Sequence, residues 1–174
     1  MKGLIHIYCG DGKGKTTASM GLAIRAAGNG MNVLFTQFLK GSDTSELNSL
    51  KQIKEITVLR NAIDYGFFNQ MTEEDKEAIT KLHNETLLQA IQAVKDKTVD
   101  LLILDEIIAT YNYNLVDKHL VDELIQNKPE YLELVLTGRD PAEHFIAAAD
   151  YVSEIKKVKH PFDKRIGARK GIEY

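Results

Sequence analysis

The chain has 174 residues, room for one domain with a full hydrophobic core and too little for two. Apolar residues make up 44% and charged residues 27%, the balance of an ordinary globular protein and not of a disordered one. A net charge of −3 and a pI near 6.0 exclude a general hold on nucleic acid, and the single cysteine, Cys9, excludes an intramolecular disulfide.

The opening segment MKGLIHIYCG holds one lysine and an apolar run too short for a secretory signal, and no stretch reads as transmembrane. A cytoplasmic protein with no membrane partner is therefore expected. The run Leu4 to Tyr8 reads as a strand, ending at the glycine-rich segment Gly10 to Gly14. A helix follows to about Ala27, closed by Gly28 and Gly30. Residues 32–38 form a second apolar run; residues 41–48 are polar and loop-like and lead into a short helix and the run Ile56 to Leu59. Thr72 is placed to cap a long helix reaching about Lys95, with acidic residues in its first turn and apolar residues at helical spacing.

Leu101 to Leu104 is wholly apolar and ends in Asp105-Glu106. A helix over Val116 to Gln126, the apolar run Leu132 to Leu136, a helix opened by Pro141 and reaching Ala149, and a last strand at Tyr151 to Ile155 complete the chain. Apolar strands alternating with helices predict an α/β fold: a mostly parallel sheet with helices on both faces and right-handed crossovers. One domain of this class is expected across residues 1–174, and the glycine-rich motif Gly10 to Thr17 between its first strand and helix makes it a P-loop NTPase (RecA-like) fold.

Gly10-Asp-Gly-Lys-Gly-Lys-Thr-Thr17 lies between a predicted strand and a predicted helix. In such a loop glycines let backbone N–H groups turn toward phosphate oxygens, the lysine (Lys15) adds positive charge, and the hydroxyl after it (Thr16) ligates Mg²⁺. The helix start adds the positive end of its dipole. The spacing departs from the common one in a single respect: Cys9 stands where the first glycine would fall, and Gly10 makes the loop one residue tighter. An apolar strand ending in acid, as at Asp105-Glu106, is the usual partner of this loop, because carboxylates there hold Mg²⁺ directly or through water. A magnesium nucleotide is the ligand these motifs imply. They leave the reaction open between group transfer, a P-loop ATPase or phosphotransferase, and a nucleotide-gated binding module.

Beyond the loop, the sequence resembles the ATP:corrinoid adenosyltransferases of cobalamin biosynthesis and salvage. The resemblance runs through the tight loop, Arg25-Ala-Ala-Gly-Asn-Gly30, Gln37-Phe-Leu-Lys-Gly41, Leu104-Asp-Glu106 and Leu136-Thr-Gly-Arg139. It continues through Val158-Lys-His-Pro-Phe-Asp163 and Ala168-Arg-Lys-Gly-Ile-Glu-Tyr174, the most diagnostic block. It implies that a Co(I) corrinoid attacks the 5′-carbon of ATP and triphosphate leaves; cobalt is the nucleophile, and the protein positions, neutralises charge and excludes water.

By residue, the resemblance implies that ATP is bound by Gly10, Asp11, Gly12, Lys13, Gly14, Lys15, Thr16 and Thr17, with Arg25 and Arg139. Lys15, Thr16 and Glu106 are the catalytic set, Thr16 and Glu106 the Mg²⁺ ligands, and Asp105 stands behind them. Phe67, Phe68, Lys40 and His160 are the candidate corrinoid contacts, and Lys40 and Arg139 are also candidate anion contacts at strand ends. An electron-donating flavoprotein and a homodimer are the implied partners. The chain departs from the family in having no tryptophan, in Arg165 where glycine is usual, and in beginning directly at the first strand. His6 reads as a packed or edge residue of the first strand; His83, His119 and His144 lie on helices without metal-ligand spacing and read as surface or partner-satisfied.

Overall fold

The apolar runs that mark the strands send successive side chains to opposite faces of a sheet. In the computed structural model, which describes residues 2–41, 44–61, 63–66 and 68–172, the strands are β1 (Ile5–Cys9), β2 (Val33–Gln37), β3 (Ile56–Arg60), β4 (Leu101–Asp105), β5 (Glu133–Thr137) and β6 (Tyr151–Glu154). They form one sheet in the order β3-β2-β4-β5-β1-β6, and every pairing is parallel. Leu34, Leu102, Leu104, Leu134 and Leu136 project to one core, and Val33, Phe35, Leu101, Ile103 and Val135 to the other. β2 and β4 are buried at every position, as strands covered on both faces must be.

Helices supply the cover. α1 (Lys15–Gly28) lays Ala23, Ala26 and Ala27 on one face, joined by Leu50 of α2 (Ser45–Leu50). On the other, α3 (Glu73–Lys95) contributes Leu87, Ala90 and Val94, α4 (Ile107–Asn112) Ile107, Ile108 and Tyr111, α5 (Lys118–Gln126) Val121, Leu124 and Ile125, and α6 (Glu143–Ala148) Phe145. Burying each large apolar side chain of this kind contributes roughly 1.5–3 kcal/mol. The long helix α3 starts where expected: Thr72 Oγ1 accepts from the Asp75 amide and Asp75 returns a bond to the Thr72 amide, a capping box.

Several boundaries move. Ser45 to Asn48, read as loop, already belong to α2. α5 begins at Lys118 because Asp117 takes the cap position, its carboxylate accepting from the His119 amide at 2.9 Å. Pro141 stands ahead of α6, whose cap is Ala142, so it is not in the first turn. α4 was not foreseen; six residues following Glu106 are too few to display a period.

The strand order decides where function can sit. β1 and β2 are separated by β5 and β4, so α1 crosses the sheet beneath the carboxyl ends of the strands. The segments leaving β1, β2, β4, β5 and β6 therefore gather at one edge, where open parallel sheets bind ligands.

Candidate functional site

The loop after β1 turns on glycines at the positions that need them. Gly10 has φ +103° and Gly14 φ +126°, a region side chains rarely adopt. A Cβ at Gly10 would lie 2.5 Å from the Ile155 carbonyl oxygen, and one at Gly12 2.7 Å from the same atom. The Gly12 amide donates to that oxygen at 2.8 Å, so the segment after β6 braces the loop. Lys15 is buried, and its Nζ donates to the carbonyls of Gly10 at 2.8 Å and Gly12 at 2.9 Å, closing the loop around its own side chain. Burial pushes the Lys15 ammonium pKa down; Glu106 pulls it back up, and Arg139 adds to the depression. Cys9, at the end of β1, is buried and its thiol pKa is raised by that burial, which leaves it an inert packed residue.

Register brings the acids to this loop. Asp105 ends β4, fully buried, and its carboxylate accepts from Thr16 Oγ1 at 2.9 Å, from Thr137 Oγ1 at 2.7 Å and from Lys40 Nζ at 2.8 Å. Lys40 Nζ also reaches Thr16 Oγ1 at 3.1 Å. Glu106 follows in a left-handed conformation, φ +63°, held by its amide donating to Thr137 Oγ1 at 2.9 Å. Burial raises the Glu106 carboxyl pKa, the charge of Asp105 adds to this, and Lys40, Lys15 and Arg139 oppose it.

Asp11 to Thr17, Lys40, Glu106, Arg139 and His160 line one cavity of about 460 Å³, so most predicted residues converge. Two expectations are redirected. His160, read as a corrinoid contact, lies in this phosphate-loop cavity, as does Lys40, read both as a corrinoid contact and as an anion contact at a strand end. Arg25 does not line it: it is exposed in the last turn of α1, about 15 Å of helix rise beyond Lys15. Gly10 stays behind the cavity wall, shaping the loop without lining it. Phe67 lies outside the described residues. Phe68 lines a separate groove of about 760 Å³, where it stacks on Tyr113 with centroids 4.2 Å apart and 5° between planes, and Lys76 sits 5.1 Å over its ring.

The histidines set aside from the sequence are satisfied by neighbours. His6 packs in β1 between Glu133 and Tyr151, His119 meets Glu123 at 3.4 Å, and His144 meets Asp122 at 2.9 Å. His83 is buried, with Nδ1 against the Leu115 carbonyl at 2.8 Å and Nε2 accepting from the Leu39 amide at 3.2 Å. Two contributors escaped the sequence. Thr137 ties both acids together, and the C-terminal segment closes on the loop through the Lys157 amide to Asp11 at 2.9 Å and Lys13 Nζ to the Ile172 carbonyl at 2.9 Å. The block Thr137-Gly-Arg-Asp140 was the available signal for the first; nothing local announced the second. Among the described residues, Gln37 Nε2, at the carboxyl end of β2 beside Asp105 in register, is buried and has no hydrogen-bond partner.

The donors suit magnesium. Thr16 Oγ1 and the carboxylates of Asp105 and Glu106 are hard oxygens, and Mg²⁺ takes one or two carboxylates together with substrate phosphates. Among the described residues no group of three or more His, Cys, Asp or Glu forms a metal cage by itself. The arrangement fits an ion that arrives with phosphate.

A phosphate-cradling loop between the first strand and helix of a parallel sheet, with a hydroxyl bonded to the acid that ends a nearby strand, defines a P-loop protein of RecA-like fold. A solved structure agrees in fold: the KaiC-like protein of Pyrococcus horikoshii OT3 matches with a TM-score of 0.53 at 12% identity, over 91% of this chain and 75% of that one. The chain belongs to the ATP:corrinoid adenosyltransferase family (BtuR/CobO/CobP), which matches residues 1–174. The corrinoid adenosyltransferase of Escherichia coli (strain K12) is 31% identical over 99% of this chain and 86% of its own length. CobA of Salmonella typhimurium (strain LT2) is also 31% identical, over 99% and 86%, and the Pseudomonas aeruginosa enzyme 35%, over 99% and 84%.

Proposed function

We infer that this protein is an enzyme that transfers the 5′-deoxyadenosyl group of ATP to the Co(I) centre of a corrinoid and releases triphosphate. The observation that carries the reading is membership of the adenosyltransferase family over the full chain, together with an intact phosphate loop facing paired acids. Cobalt's electron pair forms the bond to C5′, the C5′–O bond breaks, and triphosphate departs with that bond's electrons. The chain therefore needs no nucleophile of its own. Its tasks are to hold the triphosphate in line and to stabilise the charge that gathers on it.

Loop amides from Lys13 to Thr17 and the Lys15 ammonium receive the phosphates, with the Gly12 amide kept on Ile155 and Arg139 flanking the cavity. Thr16 and Glu106 would hold Mg²⁺, with Asp105 orienting Thr16; the ion, when bound, would offset charge on the leaving triphosphate. Phe68 and Tyr113 offer an apolar stacked face for the corrinoid. Leu39 and Lys40 join the two regions: Leu39 packs against the cluster of Met71, Ile79 and Leu115 that Phe68 also joins, while Lys40 lines the phosphate cavity. The reaction consumes a corrinoid reduced to Co(I), so an electron donor must serve it, and we assign that role to a flavoprotein. We further propose one domain across residues 1–174, a cytoplasmic location, and a homodimer, which the exposed Tyr151 and Val152 of edge strand β6 would suit.

A variant panel tests the residue roles. Lys15→Ala should lower kcat by roughly 10²–10³-fold, the cost of removing one preorganised charge-stabilising donor. Phe68→Ala should raise KM for the corrinoid and leave that for ATP unchanged. A Phe68→Ala enzyme impaired toward ATP alone would remove the corrinoid from the aromatic groove.

A further inference from the structure

Lys40 is bonded differently from a phosphate contact waiting for its ligand. Its ammonium donates to Asp105 Oδ2 at 2.8 Å and to Thr16 Oγ1 at 3.1 Å, the two groups that would ligate or orient a divalent ion. Thr16 Oγ1 meanwhile donates its own proton to Asp105 at 2.9 Å. An ammonium on this hydroxyl oxygen and on the Asp105 carboxylate opposes a divalent cation on the same oxygens, since the two positive charges would occupy adjoining positions.

The placement of Lys40 is enforced from behind. Leu39 adopts φ +58°, a left-handed conformation that a branched residue keeps only when its surroundings impose it. Its amide is held by His83 Nε2 at 3.2 Å, and the Nδ1 of that buried ring is fixed by the Leu115 carbonyl at 2.8 Å. Its side chain packs in the cluster of Met71, Ile79 and Leu115 that Tyr65 and Phe68 also join. The backbone turn that aims Lys40 is thus built from the aromatic side of the molecule.

We propose that Lys40 is the resident counter-ion of this site: it holds Thr16 and Asp105 in place of a divalent ion, so metal does not enter alone and binds only with a triphosphate, whose anionic oxygens draw the ammonium away. This makes metal binding conditional on nucleotide. It rests on the reading that Thr16, Asp105 and Glu106 form the Mg²⁺ site.

The test is a Mn²⁺ titration followed by the electron paramagnetic resonance of free Mn²⁺, on wild type, Lys40→Met and Lys40→Arg, without ATP and with ATP, in the absence of corrinoid, uptake in the ATP series being the loss of signal beyond that of protein-free Mn²⁺ and ATP. Circular dichroism checks that each variant is folded. Wild type and Lys40→Arg should take up Mn²⁺ only with ATP. Lys40→Met should bind one Mn²⁺ without nucleotide, at least about 10-fold more tightly than wild type, and adding Asp105→Asn should abolish that binding. Equal nucleotide-free affinity in folded Lys40→Met and wild type, both still binding Mn²⁺ with ATP, would overturn the counter-ion role and leave the metal site standing. No Mn²⁺ uptake by any of them even with ATP would overturn both.

Discussion

His83 shows how a single buried side chain can report on the state of the site. Burial depresses its pKa from 6.5 to about 4, so the ring is neutral in the fold, with Nδ1–H donating to Leu115 and Nε2 accepting from Leu39. The unfolded chain binds this proton near pH 6.5 and the folded chain does not, so the stabilisation is full above that pH and is lost as pH falls toward 4. The depression corresponds to about 3 kcal/mol. Urea unfolding between pH 7 and pH 4 should therefore show a loss in wild type that His83→Gln lacks; parallel curves would mean the histidine is charged in the fold. Lys15, Thr16 and the two acids could be read from the sequence because their chemistry lies in a contiguous motif and a strand end. Thr137 and His83 could not, since each acts through a partner 32 or 44 residues away. Lys40 was legible as a cation near the ligand, and its bond to Asp105 was not.

At the scale of elements, α3 and the turn after β5 carry separable predictions. The capping box satisfies two amides at the start of α3, so Thr72→Ala should cost about 1 kcal/mol in urea unfolding with activity intact. Gly138 is a different case. Its φ is +148°, and a Cβ there would come 2.6 Å from Ile108 Cβ of α4. Gly138→Ala should thus destabilise by roughly 1–3 kcal/mol and, by shifting Thr137 and Arg139, also weaken ATP binding in calorimetry. An unchanged affinity would show that the turn is structural only. α3 was legible because its 23 residues display both cap and period, whereas the six-residue α4 shows neither. The left-handed Glu106 that starts α4 is set by Thr137, a contact formed only in the folded sheet.

For the whole molecule, alternation of strand and helix was enough to expect a parallel sheet, but strand order was not, because pairing joins segments far apart in the chain. Ile5 pairs with Leu134 and Val33 with Leu101 only once the crossovers have been made. That order puts Lys40 in the phosphate-loop cavity, while the preceding residue, Leu39, packs against the cluster of Met71, Ile79 and Leu115 that Phe68 also joins. Among the described residues no helix is long and apolar enough to cross a membrane. The most direct test is to mix the protein anaerobically with chemically reduced cob(I)alamin, ATP and Mg²⁺, follow the Co(I) absorption, and identify the phosphate product by ³¹P NMR. The account predicts loss of Co(I) with formation of adenosylcobalamin and inorganic triphosphate in equal amounts. ADP and orthophosphate with the corrinoid unalkylated would contradict it and make the protein an ATPase.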